Sequence, residues 1–131
     1  MNMRMKLTGM TFSLAILSLV ALTAQAPTVT RTVLQQADIS IPGREAVTAR
    51  AEIPAGGTTG RHTHPGEEIS YLAEGSVLLE IEGAAPRTLK AGDVFLIPAG
   101  KVHNATTSGS KAIIIANYIV EKGKPLASPA K

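Results

Sequence analysis

GGTTGRHTHPGEEISYLAEG, residues 56–75, is the stretch that decides the fold of this chain, and GDVFLIPAGKVH, residues 92–103, completes it. These two glycine-framed stretches contain all three histidines of the 131-residue sequence, namely His62, His64 and His103. Successive side chains on an extended strand point to opposite faces, so histidines two residues apart point to the same side. The pattern therefore predicts a metal site built from imidazole nitrogens.

A carboxylate completes the predicted ligand set. Glu68 has the same strand parity as His62 and His64, and a kink at Pro65 would turn its side chain back toward them. Glu67 is the competing candidate, but alternation along the strand directs it to the opposite face. The predicted metal ligands are therefore His62, His64, Glu68 and His103.

The ligand types narrow the choice of metal without fixing it. Three imidazoles and one carboxylate suit Fe(II), Mn(II), Zn, Ni or Cu. Four protein ligands on a six-coordinate ion leave two positions for water, dioxygen or substrate, whereas a tetrahedral zinc ion with the same ligands is closed and structural. The ligand set fits both cases, and it assigns no separate catalytic residue.

Short apolar runs alternate with turn-forming residues through the rest of the chain. Runs rich in valine, isoleucine and leucine occupy residues 46–53, 69–72, 77–81, 94–97 and 113–120. Strands at this spacing, without a long apolar pattern of helical period, predict an all-β sandwich or barrel. Tight reversals, often with positive φ, are expected at Gly56, Gly75, Gly92 and Gly100.

The first 26 residues have the features of an export signal. An apolar stretch from 12 to 22 follows Arg4 and Lys6, and Ala24 and Ala26 supply the small residues that signal peptidase recognises. A retained membrane anchor is the alternative, because the uncharged stretch could just cross a bilayer core. We expect cleavage after Ala26 or Ala24, secretion by the general route, and a periplasmic or secreted mature protein without a stable membrane anchor.

Composition excludes several classes of protein. Removal of the signal takes away two cations and no acids, which lowers the formal net charge from +3 to about +1. No basic stripe and few aromatic residues remain, so nucleic-acid binding is not expected. The absence of cysteine excludes a disulfide framework, a thiolate metal site and a lipid-anchored cysteine.

The sequence divides into one folded domain with flanking segments. We expect a signal peptide over residues 1–26, an N-terminal arm or edge strand over 27–45, a barrel over 46–121 and a flexible C-terminal tail over 122–131. A chain of this length has room for a single domain only.

The two glycine-framed stretches resemble the two motifs of the cupin superfamily, as found in small single-domain bacterial cupins. The first motif, Gly-x5-His-x-His-x3–4-Glu-x6-Gly, is matched at every position by Gly56, His62, His64, Glu68 and Gly75. The second, Gly-x5-Pro-x-Gly-x2-His-x3-Asn, is matched by Gly92, Pro98, Gly100 and His103. Thr107 replaces its final asparagine, a position that does not bind metal in the family, and Asn104 is a partial substitute.

The resemblance covers roughly residues 46–120 and implies a double-stranded β-helix, a jelly-roll-like barrel with the metal inside one end. It also implies a homodimer formed by strand exchange or sheet packing. Because one fold hosts many functions, the implied activity is broad. The alternatives are a metal-dependent oxidoreductase of dioxygenase type acting on a small organic molecule, a non-catalytic cupin that binds a small ligand or metal for sensing or storage, and a purely structural metal site.

An enzyme of this kind needs a pocket beside its metal. Barrel residues expected to line the pocket are Leu72, Leu79, Phe95 and Ile115, and Tyr71 and Tyr118 each offer a hydroxyl. Candidates for contact with a carboxylate substrate are Arg50, Arg61 and Arg87, although an arginine in a strand is more often solvated.

Overall fold

The computed structural model describes residues 24–131, so the predicted export signal lies outside the described part except for its last three residues. Strands make up the regular structure of this part, and none of its segments is a helix that is long and apolar enough to cross a membrane. The strands are β1 (Thr30–Asp38), β2 (Arg44–Ile53), β3 (His62–Thr63), β4 (Gly66–Glu74), β5 (Ser76–Ile81), β6 (Arg87–Lys90), β7 (Val94–Ile97), β8 (His103–Thr106), β9 (Ala112–Glu121) and β10 (Ser128–Pro129).

The strands form two five-stranded antiparallel sheets. One sheet has the order β1-β2-β9-β4-β7 and the other β10-β3-β8-β5-β6. Neighbours in the sheets are mostly distant in sequence, which is the crossover pattern of a jelly-roll rather than of a simple meander. The predicted all-β architecture is therefore confirmed.

The core lies between the two sheets because the apolar residues of the long strands alternate. In β2 and β9 every second residue is buried, and small residues of one strand face larger ones of the other. Ala51 pairs with Ile114, and Val47 pairs with Tyr118. This register turns Ile115 to the outer face, where it is only partly buried, so the prediction that Ile115 lines the pocket is wrong and Ile114 occupies that place.

Glycine is required where the chain reverses and where two strands approach closely. Gly75 has a φ of 81°, and a Cβ at this position would lie 2.3 Å from the carbonyl oxygen of Lys111. Gly66 opens β4 beside β9, and a Cβ there would lie 1.9 Å from the carbonyl oxygen of Ile119. The expected positive φ is present at all four predicted positions, Gly56, Gly75, Gly92 and Gly100.

Both flanking segments lie against the barrel. Strand β1 pairs with β2 along its whole length and forms the edge of its sheet, as in the edge-strand alternative for the N-terminal segment. The C-terminal segment differs from the expected flexible tail, because Pro129 pairs with His62 and the amide nitrogen of Ala130 donates to the carbonyl oxygen of Arg61. This pairing satisfies backbone groups on the outer edge of β3 that would otherwise need other partners.

Candidate metal centre

The three histidines converge inside one end of the barrel. His62 on β3 pairs directly with His103 on β8, and His64 follows β3 by one residue. All three side chains are buried, and their three candidate metal-binding atoms lie within 4.8 Å of one another. The amide nitrogen of Gly100 donates to the carbonyl oxygen of His64 at 3.1 Å, which ties the second motif to the first.

Each imidazole is oriented by a backbone carbonyl. The Nδ1 atoms of His62, His64 and His103 lie 2.7, 2.6 and 2.9 Å from carbonyl oxygens of Gly60, Leu126 and Lys101, respectively. A carbonyl oxygen only accepts, so Nδ1 carries a proton in each ring and Nε2 is the nitrogen left free to face the interior of the site. This is the arrangement in which histidine presents Nε2 to a metal ion.

Glu68 projects into the same space. Its Oε2 atom lies 3.1 Å from Nε2 of His64 and 3.3 Å from Nε2 of His103. The hydroxyl of Ser70 donates to the other carboxylate oxygen at 2.7 Å and fixes its orientation. Glu67 is exposed on the opposite face of β4, as strand alternation predicts.

The protonation states favour a cation at this point. Burial lowers the pKa of the His62 imidazole to about 4, so this ring is neutral at physiological pH. Burial acts to raise the pKa of Glu68, but its neighbours His103, His64 and Ser70 hold that pKa well below the usual range, so the carboxylate is ionised. The ionised carboxylate thus lies against two imidazole nitrogens, where either a proton on each ring or a bound metal ion compensates its charge.

The donor set fits a divalent metal ion. The Nε2 atoms of His64 and His103 are buried and have no hydrogen-bond partner among the described residues, although such atoms are normally satisfied. Ligand atoms that bind one ion at right angles, with bonds of about 2.1 Å, lie roughly 3 Å apart. The separations between Glu68 and the two imidazoles match that value. Three buried histidines are therefore positioned to hold a metal ion.

Two side chains near the end of the second motif hold the loop that leads into β3. Thr107, in place of asparagine, donates its hydroxyl to the carbonyl oxygen of Pro54 and accepts from the amide nitrogen of Gly57 at 2.9 Å. Asn104 accepts the hydroxyls of Thr58 and Thr59 at 2.8 and 3.1 Å. Side-chain bonds thus hold the loop whose end positions His62.

A small cavity of about 20 Å³ adjoins His62 and His103. Its wall is mostly apolar and includes Leu79 and Phe95, as predicted, whereas Leu72 is buried elsewhere in the core. Tyr118 and Arg31 add polar groups to the wall. Burial and the charge of Glu68 raise the pKa of the Tyr118 hydroxyl, so this residue is a neutral phenol.

The predicted arginines lie outside the cavity, and an arginine that sequence reasoning missed lies within it. Arg50 forms an ion pair with Glu52 at 2.7 Å, and Arg61 forms one with Glu82 at 3.3 Å. Arg87, which is exposed on β6, is also absent from the cavity wall. Arg31 belongs to β1, a strand that carries no motif, so only the register of β1 on β2 reveals its position.

Comparisons with known proteins agree with this arrangement. A family model described as "Cupin domain" matches residues 49–120. A crystal structure of a cupin domain from Bordetella pertussis Tohama I has a TM-score of 0.60 and 24% identity, covering 73% of this chain and 97% of that one. This similarity concerns the fold. Among proteins of curated function, none matches the chain.

Two enzymes are also similar over part of their length. DMSP lyase DddQ from Ruegeria pomeroyi DSS-3 has a TM-score of 0.60 and 25% identity, covering 65% of this chain and 43% of the lyase. Oxalate oxidase, solved in complex with the substrate analogue glycolate, has a TM-score of 0.56 and 26% identity, covering 63% of this chain and 45% of the oxidase. The chain therefore spans less than half of either enzyme.

Proposed function

Because the chain belongs to the cupin domain family, we propose that it is an exported cupin that binds a divalent metal ion through His62, His64, His103 and Glu68 and acts on a small organic molecule. The observation that carries the proposal is the convergence of three imidazoles, each with Nδ1 bonded to a carbonyl, beside a carboxylate that lies within 3.3 Å of Nε2 of His64 and of His103. Similarity to a lyase and an oxidase supports an enzymatic role but does not select a reaction.

The chain's own residues supply binding, orientation and exclusion of water. A metal ion held here would polarise an oxygen of the bound molecule or, if it is redox-active, support oxidation by dioxygen. Leu79 and Phe95 keep the adjoining cavity apolar, which strengthens electrostatic interactions within it. Ser70 donates to one carboxylate oxygen of Glu68 and so holds the other oxygen toward His64 and His103, where it would bind the metal ion.

Elemental analysis of the protein purified from its native compartment tests the metal site. We expect about one transition-metal ion per chain, and His103→Ala should lower this stoichiometry sharply because the remaining ligands no longer enclose the ion. Lys101→Ala is a suitable control, since it removes an exposed side chain two residues away and keeps the backbone carbonyl that orients His103. Unchanged metal content in His103→Ala would reject the proposed site.

A non-catalytic cupin that stores or senses a ligand is the second candidate. The small cavity favours it, because about 20 Å³ holds little more than one water-sized group unless the wall moves. The identity of the metal distinguishes the enzyme from the non-catalytic protein. Iron or copper favours oxidase or dioxygenase chemistry, whereas zinc with no exchangeable water favours a structural or binding role.

A second copy of the chain is the proposed partner. Four large apolar side chains lie exposed on the outer face of β4 and β7, where Ile69 pairs with Leu96 and Tyr71 with Val94. A contiguous apolar patch of this kind on a soluble domain marks an interaction surface. We propose that sheet packing through this apolar face forms a homodimer.

A further inference from the structure

The side chain of Arg31 enters the cavity beside the metal site from an edge strand. Arg31 pairs with Ala51, whose side chain faces the core, and it is half-buried although most other residues of β1 are exposed. It shares the cavity wall with His62, His103 and Glu68. An edge strand thus delivers one positive charge to the interior of the barrel.

This guanidinium is without a matching acid. Its Nε atom is buried and has no hydrogen-bond partner, the Tyr118 hydroxyl with which the guanidinium interacts is uncharged, and no carboxylate among residues 24–131 forms an ion pair with it. Glu68, the one acid on the cavity wall, lies instead against the imidazoles of His64 and His103. A partly buried cation normally has an anionic partner, because an uncharged partner leaves its charge uncompensated in a medium of low dielectric constant.

Charge in the cavity favours an anion as the missing partner. A divalent ion with neutral imidazoles and one carboxylate carries a net charge of about +1, and Arg31 adds another. Apart from Arg31 and Tyr118, the wall away from the ligands is largely apolar, including Leu79, Phe95 and Ile114. The charge and polarity of the cavity therefore suit a small molecule that combines an anionic group with a short apolar part, and a cavity of about 20 Å³ admits it when the wall moves outward.

We propose that Arg31 binds the carboxylate of a small anionic ligand that occupies the cavity beside the metal. The planar guanidinium presents parallel N–H donors that match the two oxygens of a carboxylate, a geometry that lysine lacks. The proposal deepens the proposed function and rests on it, because it assigns a substrate class to the same site. The second end of the ligand would face the metal, so Arg31 sets orientation as well as affinity.

Calorimetric titration of the metal-loaded protein with acetate, and with acetamide as an uncharged molecule of similar shape, tests the proposal. We expect acetate to bind at least about tenfold more tightly than acetamide. Arg31→Gln should abolish this preference while metal content stays unchanged, and Arg31→Lys should retain only part of it. Arg50→Gln is the matched control, because Arg50 is an arginine of the neighbouring strand with its own acidic partner.

The outcomes separate this inference from the metal assignment. Equal affinity of the wild-type protein for acetate and acetamide overturns the role of Arg31, as does unchanged acetate affinity in a folded Arg31→Gln protein. Circular dichroism checks folding, and Arg31→Lys gives the answer if Arg31→Gln does not fold. If the wild-type protein binds no metal, the same titrations of the apoprotein decide: Arg31-dependent acetate binding supports the inference, and its absence overturns it.

Discussion

The carbonyl oxygen of Leu126 accepts a hydrogen bond of 2.6 Å from Nδ1 of His64, 62 residues earlier in the chain. Leu126 also packs against the core, and β10 pairs with β3 immediately beyond it. The C-terminal segment thus orients the ring of His64. The rings of His62 and His103 are each oriented by a carbonyl only two residues earlier in the sequence. One of the metal-facing imidazoles depends on the end of the chain for its orientation.

Removal of residues 125–131 should weaken metal binding while leaving the two main sheets folded. The truncation takes away the acceptor for Nδ1 of His64, and loss of such an outer partner typically lowers metal affinity by about 10- to 100-fold. Competition with a chromophoric chelator measures the affinity. Removal of Lys131 alone is the control, because it leaves Leu126 and β10 in place. Equal affinity of the two truncated proteins would show that this hydrogen bond does not orient the ligand.

Substitution of two adjacent glutamates distinguishes the carboxylate ligand. Glu68→Gln should lower metal affinity by tenfold or more, because an amide oxygen is a weaker, uncharged ligand. Glu67→Gln makes the same chemical change one residue away on the exposed face of β4 and should have no effect. Metal content after dialysis against a weak chelator gives the comparison. The assignment of Glu68 is wrong if Glu67→Gln lowers the metal affinity and Glu68→Gln does not.

Local spacing explains why the sequence predicts the histidine cluster. His62 and His64 lie in one short stretch, and the turn through Gly100 carries His103 to the neighbouring strand, so their positions follow from strand alternation and turn chemistry. Leu126 takes part through a backbone carbonyl, which leaves no signature in residue type. The expectation of a flexible tail arose from proline and glycine content, and pairing with the open edge of β3 prevailed over that composition.

Strand register is the part of the fold that composition does not reveal. A one-residue difference in parity exchanges the two faces of a strand, and this exchange put Ile114 rather than Ile115 on the cavity wall. Arg31 was missed for the same reason, because its inward position depends on pairing with Ala51 in a separate strand. Strand β6, Arg87–Lys90, was missed because its four residues include a single buried apolar side chain.

A charge placed on the proposed dimer face should separate the subunits. Val94 is 69% exposed on β7, so Val94→Glu should not disturb the core, but two such carboxylates would be desolvated in a packed interface. We expect the wild-type protein to have the mass of two chains in light scattering and the variant the mass of one. Leu78→Glu is the control, because Leu78 is also exposed but lies on β5 in the other sheet. A wild-type monomer, or a Val94→Glu dimer, contradicts the proposed interface.

Processing of the N-terminus should leave the fold complete. The first backbone contact of the described chain is made by Pro27, whose carbonyl oxygen accepts from the amide nitrogen of Thr58 at 2.9 Å, and residues 24–26 are exposed. Cleavage after Ala24 or Ala26 therefore leaves this contact of Pro27 in place. Mass spectrometry of the protein recovered from the periplasm or medium should give a mature chain that begins at Gln25 or Pro27. An Ala24→Leu, Ala26→Leu double variant should accumulate uncut in the membrane fraction, because large residues at the recognised positions block the peptidase. Recovery of the wild-type chain with its first 24 residues intact would favour the retained anchor instead.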